Sequence, residues 1–443
     1  MNHENPEGGE VRVYARVEEV ETPRGTDGGI VRLDCIRADD PFIETVLEES
    51  NQKIRRRWRI SFRVVEGRTE DSMNELGRVE AAIVPVRVKS PYRWLELNAN
   101  STWISLRVPA VALTAEDTPP VALEDFEEVP SHVAGKLDKI IDMTNWPRVP
   151  APQLRATLEA IPPIAGTLVH DVGQGSANAL FDSSDTAVVY FDTGRSGRGT
   201  TAPTNLDLCV CSAPLVILSH WDRDHWAAAE DGCQDLMRGK WVVPSQKIAG
   251  THSTFAARIL AEGGSIFVVK KSSKPKTLVG QHMYVRYGNG TDRNNSGLVL
   301  SVSINTRGGS RTLFFPGDAL YSKCDHPPTT VDFLVASHHG ADPKGSVNLP
   351  KPKNVQQSRL VYSFGRNRAY NHPSQYAITH HEAQGWDHTL WDSRNWHLQP
   401  TAGNVRATFT KADNQRQSIV YPPGALNLTN NHFSRVHGEF LLS

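Results

Sequence analysis

Up to about Pro120 the chain alternates apolar and polar residues, or runs β-branched residues together, in five stretches: "EVRVYARVEEV", "GIVRLDCIRA", "WRISFRVVEG", "RVEAAIVPVRV" and "TWISLRVPAVAL". A period of two is the pattern of a half-buried strand. Residues 1–120 are therefore expected to form a small β-rich domain, with "PFIETVLEESNQKIRRR" as a helix between two of its strands. The acidic, proline-rich "TAEDTPPVALEDFEEVP" reads as a linker. "SHVAGKLDKIIDMT" and "PQLRATLEAI" read as helices, so 121–163 is expected to bridge two domains.

From about Ile164 the pattern changes. Short apolar runs, "GTLVH", "NALF", "AVVYF", "PLVIL", "WVVP", "SIFVVK", "GLVLSVSIN", "TLFF", "VDFLVA" and "RLVYSF", are separated by polar turns and by a helical stretch near "HSTFAARILAEGG". Strands alternating with helices suggest an α/β sandwich over 164–443. No repeat at solenoid periods interrupts it.

Four of the apolar runs end in polar clusters. "PLVILSHWDRDH" carries His220, Asp222, Asp224 and His225; "FFPGDAL" carries Asp318; "LVASHHGA" carries His338 and His339; "YSFGRNRAYNHPS" carries Ser363, Asn367, Tyr370 and His372. Strand ends in layered α/β folds converge at one edge, where ligands bind. Imidazole and carboxylate are ligands for Zn2+, Mn2+ or Fe2+. Two neighbouring metals need a bridging carboxylate and can share a hydroxide. Any one cluster alone also reads as a solvated loop, and "HHG" as an ordinary surface or core pair. Their succession, each at a strand end, is what points to metal.

Composition narrows the setting. The formal charge of −1 gives no global field toward nucleic acid or an anionic membrane, so polyanion binding would need local patches. "KIRRRWR" (Lys53–Arg59, with Trp58 interleaved) and "KKSSKPK" (Lys270–Lys276) are two such patches, each equally readable as a solvated surface. No apolar run is long enough to span a bilayer, and "MNHENPEGGEVRVY" lacks a signal-peptide pattern. Five cysteines give no disulfide framework, and the Cys209/Cys211 pair reads as small apolar residues. A cytoplasmic protein with no membrane partner is expected.

These motifs carry a resemblance. "HWDRDH" is similar to the metallo-β-lactamase signature H-x-H-x-D-H with aspartate in place of the second histidine. Together with "HDVGQGSANALF", "YFDTG", "NNSGLVLSV", "FFPGDA", "ASHHG" and "SFGRNRAYNHP", it resembles the hydrolase domain of ComEC-type competence proteins and their stand-alone relatives, over about residues 165–385. The resemblance implies a four-layer αββα sandwich with two divalent metals, Zn or Mn, at one edge of the sheets. His220 and Asp222 would serve one metal; Asp224, His225 and His338 or His339 the other; Asp318 would bridge. It further implies a phosphodiesterase or nuclease, with nucleic acid or another phosphodiester as substrate. Asp224 would orient the attacking hydroxide and His372 would help the leaving group. A small ester, thioester or lactam hydrolase on the same metals is the alternative. So is a regulatory protein whose N-terminal domain does the work, and that domain could in either case select a protein partner.

The chain departs from the pattern in three ways. "WAA" (Trp226–Ala228) replaces the glycines after D-H, Ser176 follows "VGQG", and the extra histidine of many relatives has only His252 and His282 as candidates. Several residues have two readings. His170 faces the site or is a satisfied core histidine. Asp171 and Asp192 hold turns beneath the ligands. Asn294, Asn295 and Ser296 order the site loops or are turn chemistry. Asn367 and Tyr370 assist His372 or cap its loop. "THHEAQGWDHTLWDSRNWH" reads as a helix and loop near the site mouth.

Overall fold

The computed structural model describes residues 10–21, 29–39, 41–48, 81–88, 96–97, 102–109, 121–122, 125–141, 143, 146, 150–195, 206, 208–248, 250–269, 278–279, 283–306, 309–341, 348–364, 372–386, 404–408 and 436–441. The basic stretches 53–59 and 270–276, together with His282, Asn367 and Tyr370, lie outside these residues. The chain divides into two compact units, Met1–Pro147 with Gln246–Ser265, and Arg148–Ser245 with Ile266–Ser443. No described helix is long and apolar enough to cross a membrane.

The N-terminal alternation produces a six-stranded sheet, β5-β3-β2-β1-β4-β6. Its strands are β1 (Glu10–Glu21), β2 (Gly29–Arg37), β3 (Ala81–Val88), β4 (Ile104–Pro109), β5 (Val121–Ala122) and β6 (Glu127–Glu128). β1 pairs antiparallel with β2 and β4, so Val13, Ala15, Val17, Val31, Leu33, Cys35, Ile104 and Leu106 share one buried face. The opposite face carries Tyr14, Ile36 and neighbouring Trp103. These pack against α1 (Pro41–Glu48) and α2 (Ser131–Ile141) through Ile43, Val133 and Leu137.

The second unit opens with α3 (Ala151–Glu159), started by Pro150 and burying Leu154 and Leu158, one turn apart. An eight-stranded sheet follows, in the order β12-β11-β10-β9-β8-β7-β21-β22. It comprises β7 (Gly166–Val169), β8 (Ala177–Phe181), β9 (Ala187–Thr193), β10 (Leu215–Ile217), β11 (Lys240–Pro244), β12 (Ser265–Val269), β21 (Asn404–Thr408) and β22 (Val436–Leu441). A six-stranded sheet has the order β13-β14-β15-β16-β18-β20. Its members are β13 (Leu278–Val279), β14 (Met283–Tyr287), β15 (Leu298–Thr306), β16 (Gly309–Phe315), β18 (Phe333–Val335) and β20 (Arg359–Val361). β17 (Thr330–Val331) and β19 (Lys351–Pro352) form a small ribbon.

The fully buried runs of β8, β9 and β10 match strands covered on both faces. Leu180, Val189, Phe191 and Ile217 of one sheet share a core with Leu300, Leu313, Phe315 and Phe333 of the other, so the two sheets face each other. Phe191 and Phe315 meet across the gap at 5.9 Å between ring centres. Two short helices flank the site, α4 (Ala227–Asp231) and α6 (Gln375–Ala383).

α5 (Gly250–Ala261) follows β11 in sequence, yet its contacts place it in the first unit, against β2 and β3. The buried Asp34 side chain of β2 accepts from the Thr251 backbone N–H at 3.1 Å and hydroxyl at 2.9 Å. Buried Arg16 donates to the Ile248 carbonyl, pairs with Asp138 and lies over the Trp103 ring. The helix was readable from sequence; its affiliation was not.

Candidate metal centre

The parallel triplet β9, β10, β11 and the parallel triplet β16, β18, β20 bring their carboxyl ends to the site. Asp192 ends β9. His220, Asp222, Asp224 and His225 follow β10, Asp318 follows β16, His338 and His339 follow β18, and Ser363 follows β20. Close backbone approach shapes the loops. A side chain at Gly194 would collide with the Asp224 carbonyl, and Gly317, at φ 57°, lies against Ser219. The Ser176 N–H donates to that same Asp224 carbonyl at 3.0 Å, and the Gly194 N–H to the Ser176 carbonyl at 2.7 Å.

The ligands converge. His225 Nε2 lies 3.1 Å from Asp318 Oδ1 and 3.8 Å from Asp224 Oδ1. Around Asp318 Oδ2 stand Nε2 of His220 at 3.7 Å, His338 at 3.5 Å and His339 at 3.7 Å. His339 Nε2 is also 3.2 Å from Asp224 Oδ2, and His220 Nε2 is 3.2 Å from Asp222 Oδ2. Two trios, His220–His225–Asp318 and Asp224–His225–His339, each gather their ligand atoms within 4.8 Å.

These spacings suit a cation. Ligands about 2.1 Å from a tetrahedral ion sit about 3.4 Å from one another. Nε2 of His220, His225 and His339 is buried, and its near polar neighbours are the carboxylate oxygens of Asp222, Asp318 and Asp224, at 3.1–3.2 Å. Each ring's Nδ1 is already committed. His225 Nδ1 donates to Asp192 Oδ2 at 2.8 Å, His339 Nδ1 to the Ser363 carbonyl at 2.8 Å, and His220 Nδ1 lies 3.0 Å from Ser219 Oγ. Holding Nδ1 this way turns the Nε2 lone pair toward a metal. Asp192 also accepts from the Ser219 N–H at 2.6 Å, so one buried carboxylate fixes both the loop and a ligand ring.

The electrostatics agree. Burial would raise the Asp318 carboxyl, but His225, His339, His338 and His220 hold it well below the usual carboxylate range. Asp224 is lowered against its burial by His225 and His339. His225 is raised well above an ordinary histidine, because Asp318, Asp192 and Asp224 outweigh burial, and His339 is raised too, chiefly by Asp318. Carboxylates that keep protons on neighbouring imidazoles are groups a divalent cation would serve instead, releasing those protons.

Other candidates take definite places. Asp222 is lowered against its burial by Arg293 and His220, and its Oδ1 accepts from Arg293 at 2.7 Å. His372 stands beside the paired histidines, its ring centre 5.6 Å from that of His338, with Nδ1 3.2 Å from Gln174 Nε2. Burial, then His338 and His339, pushes it down to about 3. His170 is buried beside Tyr190 and joins neither trio. Asp171 accepts from the Gly173 N–H at 3.4 Å, within its turn. Asn295 Oδ1 accepts from the Leu320 N–H, tying its loop to the turn after Asp318. Trp226 is fully buried and donates to the Trp221 carbonyl, so it packs under the loop. His252 belongs to the first unit, its Nδ1 2.9 Å from Asp34 Oδ2.

Sequence reasoning missed Ser219, Gln174 and Arg293. Ser219 and Gln174 sit inside quoted motifs, but a lone Ser or Gln carries no ligand signal. Arg293 precedes "NNSG", and nothing local ties it to Asp222.

No family model and no curated protein matches the chain. Among solved structures, the crystal structure of MEM-A1, a subclass B3 metallo-β-lactamase isolated from a soil metagenome library, is similar over 53% of this chain and 97% of that one, at 12% identity and a TM-score of 0.25.

Proposed function

We propose that the second unit is a two-metal hydrolase of the metallo-β-lactamase type that cleaves phosphodiesters, nucleic acid among them. The observation that carries the reading is the set of three buried imidazoles whose Nδ1 is committed to the scaffold and whose Nε2 faces only carboxylate oxygens, of Asp222, Asp318 and Asp224. The facing sheets with ligands at their carboxyl edge support the sandwich, and the ComEC-type motifs favour phosphate over carbonyl substrates. His225, His339, Asp224 and Asp318 would hold one cation; His220, Asp222, His338 and Asp318 the other. Bound there, divalent cations supply Lewis acidity and lower the pKa of water.

The chain's own groups do the rest. Asp318 presents one oxygen to His225 and the other to His220, His338 and His339, the disposition of a bridge. Asp224, partly open to solvent, would orient the attacking water. His372, neutral and held at Nδ1 by Gln174, offers a hydrogen bond to a substrate oxygen. The first unit, whose described residues contain no ligand trio, is read as selecting the substrate or a protein partner.

The test is a metal-stripped full chain refilled with Zn2+ or Mn2+ and offered bis(p-nitrophenyl) phosphate, single-stranded DNA, RNA, plasmid, thioesters and a β-lactam. Metal-dependent diester cleavage is expected. Turnover of thioester or lactam alone would overturn the substrate class, and a protein that takes up no metal would overturn the reading.

A further inference from the structure

The turn bearing the paired histidines has an unusual backbone. His338 (φ 49°, ψ 50°), His339 (φ 55°, ψ 15°) and Gly340 (φ 86°) are left-handed in succession. Two adjacent non-glycine residues persist in that region only where their surroundings over-determine it. Here the His338 N–H donates to the Gly317 carbonyl at 3.0 Å, and Ser337 Oγ to the Ala319 carbonyl at 2.7 Å. Both partners flank Asp318.

A further hold comes from a buried relay. The Ser337 N–H donates to Tyr321 Oη at 3.1 Å, and Tyr321 Oη lies 2.9 Å from His381 Nε2. His381 Nδ1 is 2.7 Å from the Ala377 carbonyl and 2.9 Å from Tyr362 Oη. A carbonyl only accepts, so Nδ1 carries the ring proton. In the neutral ring Nε2 is then the acceptor, and Tyr321 is its donor. In the neutral ring protonated at Nδ1 the relay runs from Ser337 N–H to Tyr321, Tyr321 O–H to His381, and His381 Nδ1–H to the helix carbonyl, with Tyr362 Oη beside the same nitrogen. The same helix, α6, holds the far end of the turn. Ser374, its cap, donates its N–H to the Gly340 carbonyl at 2.8 Å and accepts from the Ala377 N–H at 3.1 Å.

We propose that Tyr321 and His381 are positioning residues of the metal centre, holding through the Ser337 N–H the left-handed turn in which His338 and His339 both reach Asp318. The inference rests on the metal-centre reading above. Neither side chain touches the ligand atoms; each acts by fixing the backbone that carries two of them. Partners one step behind metal ligands of this kind change affinity about 10- to 100-fold when removed.

The test uses the full chain with Tyr321→Phe, His381→Gln and His381→Asn. Zn2+ affinity of the stripped proteins is read by competition with a chromophoric chelator, and thermal melting of the apo proteins is read in parallel. Tyr321→Phe keeps the ring and removes only the hydroxyl; it is expected to bind about 10- to 100-fold more weakly. Glutamine can place its amide oxygen where Nε2 accepts, whereas asparagine can replace only the Nδ1 donor. His381→Gln should therefore stay near the parent while His381→Asn falls with Tyr321→Phe. Parent-like affinity in Tyr321→Phe, or equal losses in the Gln and Asn variants, overturns the proposal. Should Tyr321→Phe fail to fold, the Gln–Asn comparison decides alone. A parent protein that takes up no Zn2+ removes the metal-centre reading and this inference with it; a parent that binds, with variants indifferent, removes the inference only.

Discussion

Among the described residues each unit holds a buried aspartate set against histidine, Asp34 in the first and Asp318 in the second, and the two are built differently. In the first unit Asp34 and His252 are both fully buried, with His252 Nδ1 2.9 Å from Asp34 Oδ2. The other Asp34 oxygen is taken by the Thr251 N–H and hydroxyl. In the second unit Asp318 is surrounded by four imidazoles, each with its Nε2 3.1–3.7 Å from one of the carboxylate oxygens. Residue type and burial are alike in the two places. What differs is where the second nitrogen and the second oxygen go. In the first arrangement one ring meets one carboxylate oxygen, and the other oxygen holds the backbone and hydroxyl of Thr251. An open cluster commits its outer atoms to the scaffold and leaves the inner ones converging.

Exchanging the carboxylates should break the comparison most visibly. Asp318→Ala is expected to lose bound metal and to cut hydrolysis roughly a thousandfold or more. Asp34→Ala should keep the metal content, yet lose on the order of 3–5 kcal/mol of stability, because the buried Thr251 N–H and hydroxyl lose their acceptor and His252 loses the carboxylate 2.9 Å from its ring. Metal analysis and melting of the two variants side by side read both outcomes. Metal loss in Asp34→Ala, or parent-like activity in Asp318→Ala, would erase the distinction. The next effect belongs to Asp192, which holds His225 and the Ser219 N–H without facing a ligand position. Asp192→Ala should weaken Zn2+ binding about 10- to 100-fold, measured by chelator competition. Unchanged binding would mean that the ring keeps its orientation without this partner.

The convergence of the His and Asp residues was legible because they follow apolar runs, and strand ends are where α/β folds gather chemistry. β9 and β10 were legible from their apolar runs, Ala187–Phe191 and Leu215–Ile217. The grip on the cluster was not. Ser219 is one residue from His220 and gives no sign of bonding two rings; Arg293 reaches Asp222 from 71 residues away. The left-handed turn at His338 and His339 breaks the expectation that glycine marks such backbone, since the glycine comes third. His381 lay in a stretch read as packing near the site mouth, and its tie to Tyr321 spans 60 residues. α5 shows the same limit at the scale of domains. Its helical spacing is local, but the surface it covers is set by pairings such as Thr251 with Asp34 that no spacing records.

A further contrast is between histidines whose ionisation is set by nearby carboxylates and one whose ionisation is set by burial. His170 is pushed down by burial to about 3, against an ordinary value of 6.5. The unfolded chain therefore takes up a proton below about pH 6.5 that the folded chain refuses until about pH 3, and stability falls as pH falls through that window. At pH 5 the loss from this residue is about 2 kcal/mol. His170→Leu should melt with a visibly flatter dependence between pH 7.5 and 5 than the parent. Parallel curves for the two proteins would show that His170 is not the acid-sensitive group.

The smallest effect is expected at Asp222, where, as at Asp34, one carboxylate oxygen is already held by a neighbour. A carboxylate is a harder donor than imidazole and by itself favours Mn2+ over Zn2+. Yet Arg293 already holds Oδ1 at 2.7 Å, leaving Oδ2, 3.2 Å from His220 Nε2, as the oxygen free to ligate. The guanidinium also offsets the charge that would draw a hard cation. Asp222→His should therefore move the balance toward Zn2+ by no more than about tenfold. Arg293→Gln, which restores the carboxylate's charge, should move it toward Mn2+. Competitive titration of the stripped proteins with both ions gives the ratio directly. Because the two substitutions act on one donor in opposite senses, shifts of the same sign, or no shift in either, would show that the metal preference is set elsewhere in the ligand set.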